Sequence, residues 1–362
     1  MPRISEIHPI RFRLPLAGSL SWGKASRMDS LEHILVRLVT DTGHVGLAEA
    51  PPRPTIYGET IESIQAIIRH YIAPRVVGMD IGDIEGINRQ MDVIAHNNSA
   101  KGAIDICLHE ALAASQGKSL LEFLNPPHPK VKVSYILGIS DRATMLAEAR
   151  TVYNQGVRVF KVKVGRDFAG DLSRIRALQA EYEGSDMWLY VDANEAFQPD
   201  QAQTQLHQLA ARGALYVEEP LPIELIIDRA NLRQAEIVPL IADDSAFTYR
   251  DLTREIRFNT FDILNIKPAR TGYFHSNRML AAAKKYHKGV MVGSQASSTV
   301  GTVRAALFAG SKGIDYPSEL SFFLKLEDDI VNRPIEIVDG YIHLDSLATI
   351  SIDEQRLKRF ST

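Results

Sequence analysis

Between Val133 and Tyr316 the chain alternates short apolar runs with amphipathic ones, and no other feature narrows its fold as far. Eight runs read as strands: Val133–Ile139, Val157–Val164, Met187–Asp192, Ala214–Glu218, Val238–Asp243, Phe261–Lys267, Gly289–Gly293 and Gly313–Tyr316. Helical stretches fall between them, including Asp171–Glu183, Asp200–Ala211, Tyr249–Phe258, Ser276–His287 and Thr299–Ala309. The strand runs are apolar almost throughout, as expected of parallel strands covered on both faces. Eight β units in succession predict a closed (β/α)8-type barrel. An open doubly wound sheet would carry fewer strands and a Gly-rich phosphate turn after its first one. No G-x-G-x-x-G stands there.

The flanks read differently. Leu31–Thr40 and Val45–Ala48 flank the turn Asp41-Thr42-Gly43 and predict a hairpin. Thr60 is placed to cap a helix carrying Ile61, Ile64, Ile67 and Ile68, and a second helix is expected from about Ala100 to Ala114. At the other end no closing helix follows the eighth strand. Ile335–Val338 and Tyr341–Leu344 instead flank Asp339-Gly340, a hairpin signal. The expected organisation is an α+β capping domain over residues 1–128, a (β/α)7β barrel over 129–325, and a segment 326–362 that returns to the cap.

Composition restricts the partners. Among 362 residues, 41 Lys and Arg face 44 Asp and Glu, a net charge of −3, so the footprint that nucleic acid or an anionic membrane demands is missing. Cys107 stands alone, which excludes a disulfide framework. No apolar run approaches the roughly 18 residues of a membrane span, and the opening residues are too polar for a secretory signal. A cytoplasmic protein is expected, acting on a small molecule and forming a homo-oligomer.

Charged residues interrupt the ends of five consecutive barrel strands: Lys161 and Lys163 on the second, Asp192 on the third, Glu218 on the fourth, Asp243 on the fifth and Lys267 on the sixth. Residues in that phase converge on the C-terminal mouth, where barrel enzymes keep their active sites. Any one acid alone reads more readily as a strand-end partner for a lysine. Three in register form an oxygen cage suited to Mg²⁺ or Mn²⁺, and the lack of Cys or His beside them disfavours zinc. Lys161 and Lys163, two apart on a strand, point the same way, and such neighbours are expected to depress a lysine pKa towards a usable base. Lys267, four strands round the ring, would approach a ligand from the opposite face. A divalent cation acidifies the carbon beside a carboxylate, and lysines can then move the proton there.

These motifs resemble those of the enolase superfamily, and within it the muconate-lactonizing subgroup: Lys161-Val-Lys163-Val-Gly165, Val191-Asp192-Ala193-Asn194, Glu218-Glu219-Pro220, Ala242-Asp243-Asp244-Ser245 and Ile266-Lys267-Pro-Ala-Arg-Thr271-Gly272. The resemblance implies Asp192, Glu218 and Asp243 as ligands of Mg²⁺ or Mn²⁺ and Lys163 with Lys267 as the acid/base pair. Lys161 would tune Lys163 and contact the substrate carboxylate. Mandelate-racemase-like members carry a His at the seventh strand end, where this chain reads Val292-Gly293-Ser294-Gln295. Dipeptide epimerases carry an Asp-x-Asp at the eighth, where Glu319-Leu320 here looks like muconate cycloisomerases. Ala48–Pro54 and Tyr57-Gly58-Glu59 resemble bacterial muconate-lactonizing enzymes, and with the Ser19–Met28 loop are expected to close over the mouth. Glu319, Asn194, Arg53 and Tyr57 are thereby implied in substrate binding. Phe197 stands where many relatives carry Trp.

The expected activity is interconversion of cis,cis-muconate and muconolactone through a metal-stabilised enolate with lysine acid/base. The alternatives are epimerisation of a dipeptide, racemisation of an N-acyl amino acid, or o-succinylbenzoate synthesis. A barrel without turnover is disfavoured by three acids and three lysines at one mouth, and a Schiff-base aldolase would not need the acids.

Overall fold

In the computed structural model, which describes residues 1–23, 26–56 and 58–362, twelve strands form three sheets. The first is an antiparallel ribbon of β1 (Ile4–Trp22), β2 (Ser26–Thr40) and β3 (Val45–Ala50). β2 and β3 are the hairpin read around Asp41-Thr42-Gly43. β1 leaves little trace in the sequence, because Pro9 and Pro15 interrupt it and its register with β2 shifts between Pro15 and Leu20. The ribbon packs on the helix Asn98–Ser115, which buries Ala100, Ala103, Ile104, Cys107, Leu108 and Ala111. Thr60 and Ser63 form a reciprocal capping box at the start of the helix Ile61–Ile67.

β4 (Lys130–Lys132) leads into the barrel: β5 (Ser134–Leu137), β6 (Val159–Lys163), β7 (Trp188–Asp192), β8 (Val217–Glu218), β9 (Leu240–Ala242), β10 (Ile263–Ile266) and β11 (Gly289–Val292). All seven pair in parallel, in sequence order. The eighth run, Gly313–Tyr316, is not a strand. The irregular segment that follows takes the eighth position: Tyr316 N and Glu319 N donate to Val290 O and Val292 O on one side, while Ser134 N donates to Ser318 O and Ser318 N to Lys132 O on the other. The fold is a curled parallel sheet with an α/β cap, a modified (β/α)8 barrel.

The turn at Asp339-Gly340 forms, with both residues at positive φ (48° and 82°), as a type I′ turn requires. The expected hairpin does not form: Ile335–Val338 is irregular apart from a bridge between Val338 and Tyr341, and β12 (Tyr341–His343) pairs with β4 at the bottom of the barrel instead. The chain then reaches the cap. The helix Glu354–Phe360 seats Leu357 against Phe12 and Leu14 of β1, and Thr362 N donates to Arg11 O. Among the described residues, no helix is long and apolar enough to cross a membrane.

Candidate active site

Alternation along a strand fixes what fills the barrel. A closed layer of Val159, Tyr190, Ile241, Ile263 and Met291, flanked by Tyr216, forms the apolar floor. Two residues on, each strand presents its next inward position. Those positions are Lys161, Asp192, Glu218, Asp243, Asn265 and Gly293. Two further on lie Lys163, Asn194, Lys267 and Gln295, at the mouth. Along the tilted ladder Lys163 stands opposite Asp192, and Asp192 opposite Glu218. The chemistry is therefore stacked on a hydrophobic plug that keeps water from below.

The structure brings all three lysines and all three acids together, in pairs. Lys161 Nζ donates to Glu218 Oε1 at 2.8 Å and Glu319 Oε1 at 2.5 Å, and lies 2.9 Å from Asp192 Oδ2. Lys163 Nζ donates to the same Asp192 oxygen at 2.5 Å and to Asn194 Oδ1 at 2.9 Å. Lys267 Nζ donates to Asp243 Oδ2. Arg270 approaches Asp243 from behind, with Nη1 3.2 Å from Oδ1 and Nη2 donating to its carbonyl at 2.9 Å.

Burial and these pairings set the charges. Burial alone would raise Asp192, yet Lys161 and Lys163 outweigh it and hold the carboxyl down at about 2. Burial acts the same way on Asp243, and Lys267 and Arg270 overcome it. Glu218 goes the other way: burial, with repulsion from Asp192, Glu319 and Asp243, pushes it well up despite Lys161. The expected depression of a lysine pKa is not met at Lys161. Burial favours its neutral form, but Asp192, Glu218 and Glu319 hold it well above its ordinary value. Lys267 is likewise raised by Asp243 against burial.

Among the described residues, no three His, Cys, Asp or Glu side chains already stand as a metal-ligand cluster, since ammonium groups engage each acid. The donor set nonetheless fits a hard divalent cation. It is all oxygen, it lies at the ends of three adjacent strands, and one of its buried atoms, Glu218 Oε2, accepts no hydrogen bond.

Above the acids lies a cavity lined by Lys163, Lys267 and Asn194 from the barrel, by Arg53 and Ile56, and by Leu20, Trp22 and Met28 of the ribbon. The Ser19–Met28 segment is thus largely the end of β1 and the start of β2, with Lys24 and Ala25 outside the described residues. Arg53 is buried, and its guanidinium donates to the carbonyls of Pro52 and Gln295. Glu319 sits at the base, where it accepts from Lys161 Nζ and, at 3.0 Å, from Ser294 N. Tyr57 lies outside the described residues.

Sequence reasoning missed Asn265, Arg270 and the purpose of Gly293. Asn265 was legible as the residue two before Lys267 on the same face. A Cβ at Gly293 would stand 2.2 Å from Asn265 Oδ1 and 2.6 Å from Lys267 Cε, so a larger residue would make both side chains shift.

Residues 144–353 match the family model of enolase C-terminal domain-like proteins, and residues 23–125 that of the mandelate racemase/muconate lactonizing enzyme N-terminal domain. The chain is 34% identical to the solved muconate lactonizing enzyme from Mycobacterium smegmatis complexed with muconolactone, with a TM-score of 0.94 covering 99% of this chain and 100% of that one. It is 29% identical over 338 residues to the L-Ala-D/L-Glu epimerase of Bacillus subtilis, which covers 92% of each chain. It is also 29% identical over 362 residues to the N-succinyl-L-Arg/Lys racemase of Bacillus cereus, covering 97% of this chain and 95% of that one.

Proposed function

Since the chain belongs to the mandelate racemase/muconate lactonizing enzyme family of the enolase superfamily, we propose that it is a cycloisomerase of cis,cis-muconate or a closely related dicarboxylate, working in the cytoplasm as a homo-oligomer. Asp192, Glu218 and Asp243 would hold Mg²⁺ or Mn²⁺. When bound, the ion supplies positive charge beside a substrate carboxylate and acidifies the adjoining carbon.

The chain's own groups do the rest. Lys161, fixed by Glu319, meets the carboxylate at the ion. Arg53, Asn194 and Tyr57 hold the distal carboxylate. That carboxylate adds to the conjugated diene, and the ammonium of Lys163 or Lys267, whichever faces the new anion, delivers the proton at carbon. The cap ribbon keeps bulk water from competing for that carbon.

One observation carries this choice over the epimerases. Among the described residues, the eighth position offers a single acid, Glu319, already engaged by Lys161, and no carboxylate pair at that position to receive a substrate ammonium group. A specific observation favours the second reading, epimerisation or racemisation. Lys163 and Lys267 face one cavity from strands four apart in the ring, as proton exchange on both faces of one carbon demands.

The test is loss of diene absorbance with muconate, run beside dipeptides and N-succinyl amino acids in D₂O with Mg²⁺ or Mn²⁺. Turnover of muconate is expected. Deuterium at Cα of an amino acid substrate without muconate turnover would transfer the assignment to the epimerases. Independently of substrate, Mg²⁺ or Mn²⁺ should raise the melting temperature of the wild type and not of Asp243→Asn, because an ion that binds only the folded chain stabilises it.

A further inference from the structure

The acid/base role proposed for Lys267 raises the question of what holds it. Lys267 ends the run from β10, and a single helical turn follows it. Arg270 N donates to Lys267 O at 2.9 Å, and Thr271 Oγ1 donates to the same carbonyl at 3.1 Å. At Gly272 the helix breaks (φ 60°, ψ −176°) before continuing. The break frees backbone N–H groups, and they are satisfied from the cap. Asp105, fully buried on the helix Asn98–Ser115, accepts from Tyr273 N at 2.5 Å and Phe274 N at 3.0 Å through one carboxylate oxygen. Its other oxygen accepts from Asn88 Nδ2 at 2.8 Å.

A second contact is independent of the first. Gly102, one turn earlier on the cap helix, lies so close to the Lys267 turn that a Cβ there would be 3.0 Å from Ala269 O and 3.1 Å from Gly272 N. The cap helix therefore moulds the turn from Pro268 to Gly272 at two points. From that turn Lys267 reaches Asp243 Oδ2 and Arg270 reaches the Asp243 carbonyl.

We propose that Asp105 is a positioning residue for Lys267: a cap-domain carboxylate that, by tethering Tyr273 and Phe274, fixes the turn from which the barrel lysine enters the active site.

The test compares the wild type, Asp105→Asn, and the swap Asn88→Asp/Asp105→Asn, which restores a donor–acceptor match between the two side chains. Turnover is measured on whichever substrate the screen above identifies. Labelling of Lys267 by a small amine-reactive acylating reagent is followed by peptide mass spectrometry, with Lys285 on the same helix as the control. Asp105→Asn should lower kcat about ten- to a hundredfold with KM nearly unchanged, as small displacements of a reacting group do. It should also change the labelling rate of Lys267 but not of Lys285, and the swap should restore both. If Asp105→Asn fails to fold, Gly102→Ala, which pushes on the same turn without removing the tether, decides by the same readouts. Unchanged kcat and unchanged Lys267 labelling in a folded variant would overturn the proposal. If no substrate of the panel turns over, the labelling arm still decides it, so failure of the cycloisomerase reading is distinguishable from failure of this one.

Discussion

A single oxygen, Asp192 Oδ2, takes contacts from both Lys161 and Lys163. The side chains at this mouth neutralise one another with few donors to spare, so small steric changes reach the chemistry directly. Gly293→Ala is the sharpest case. Its Cβ would press on Asn265 Oδ1 and Lys267 Cε, and turnover per folded molecule should fall about a hundredfold. Retained turnover would show that Lys267 reaches the cavity by another path. At this scale the acids and lysines were legible because strand alternation places Lys161, Asp192, Glu218 and Asp243 in one layer. The link from Lys161 to Glu319 was not, since it spans 158 positions and no local pattern encodes it.

Among the elements, Arg53 N donates to Glu59 O, and Glu59 is pinned to the cap helix, where its Oε2 accepts from Ser99 N at 3.1 Å. Burial raises Glu59 to about 7, against the opposing pull of the Ser99 amide. The folded protein therefore holds this proton more tightly than the unfolded chain, and stability is lost as pH climbs from the ordinary carboxylate range to about 7. Glu59→Gln, which keeps an acceptor for Ser99 but does not ionise, should escape that loss. Its melting temperature should gain on the wild type between pH 5 and pH 8, by a free energy of no more than about 3 kcal/mol. A difference that does not change with pH would remove the titration from Glu59. The barrel strands and their helices were readable because their apolar runs are long and regularly spaced. β1 was not, because its buried positions are irregular and two prolines cross it. The eighth run was misread because Gly313–Tyr316 is apolar enough for a strand, whereas the hydrogen bonds to both neighbours are made around Ser318 and Glu319.

Across the whole molecule, cap and barrel are tied together at several remote points. The last helix docks on β1 through Leu357, which lies in a satellite core with Phe12, Leu14, Leu31 and Phe322. Leu357→Ala should cost about 2–4 kcal/mol in urea denaturation, as buried leucine truncations do, and leave kcat of the folded fraction unchanged. A fall in kcat beyond the folded fraction would mean that this core also sets the ribbon over the cavity. The general plan, a barrel with a cap, followed from the change of hydrophobic period along the chain. The docking of Asp105 and Gly102 on the Lys267 turn did not, because a buried aspartate and a helical glycine announce no partner in sequence.

The eighth position of the ring has a consequence for how such a scaffold diversifies. Glu319 rides on an irregular stretch rather than a regular strand, at the seam where the cylinder's last paired strand meets its first, and the backbone around Ser318 and Glu319 bonds to both neighbours. Side chains at this seam lie outside the regular ladder, while Asp192 and Glu218 sit opposite one another in the register of paired strands. A lineage can therefore change the side chains that line the cavity at this seam and leave the paired strands β6 to β9 untouched.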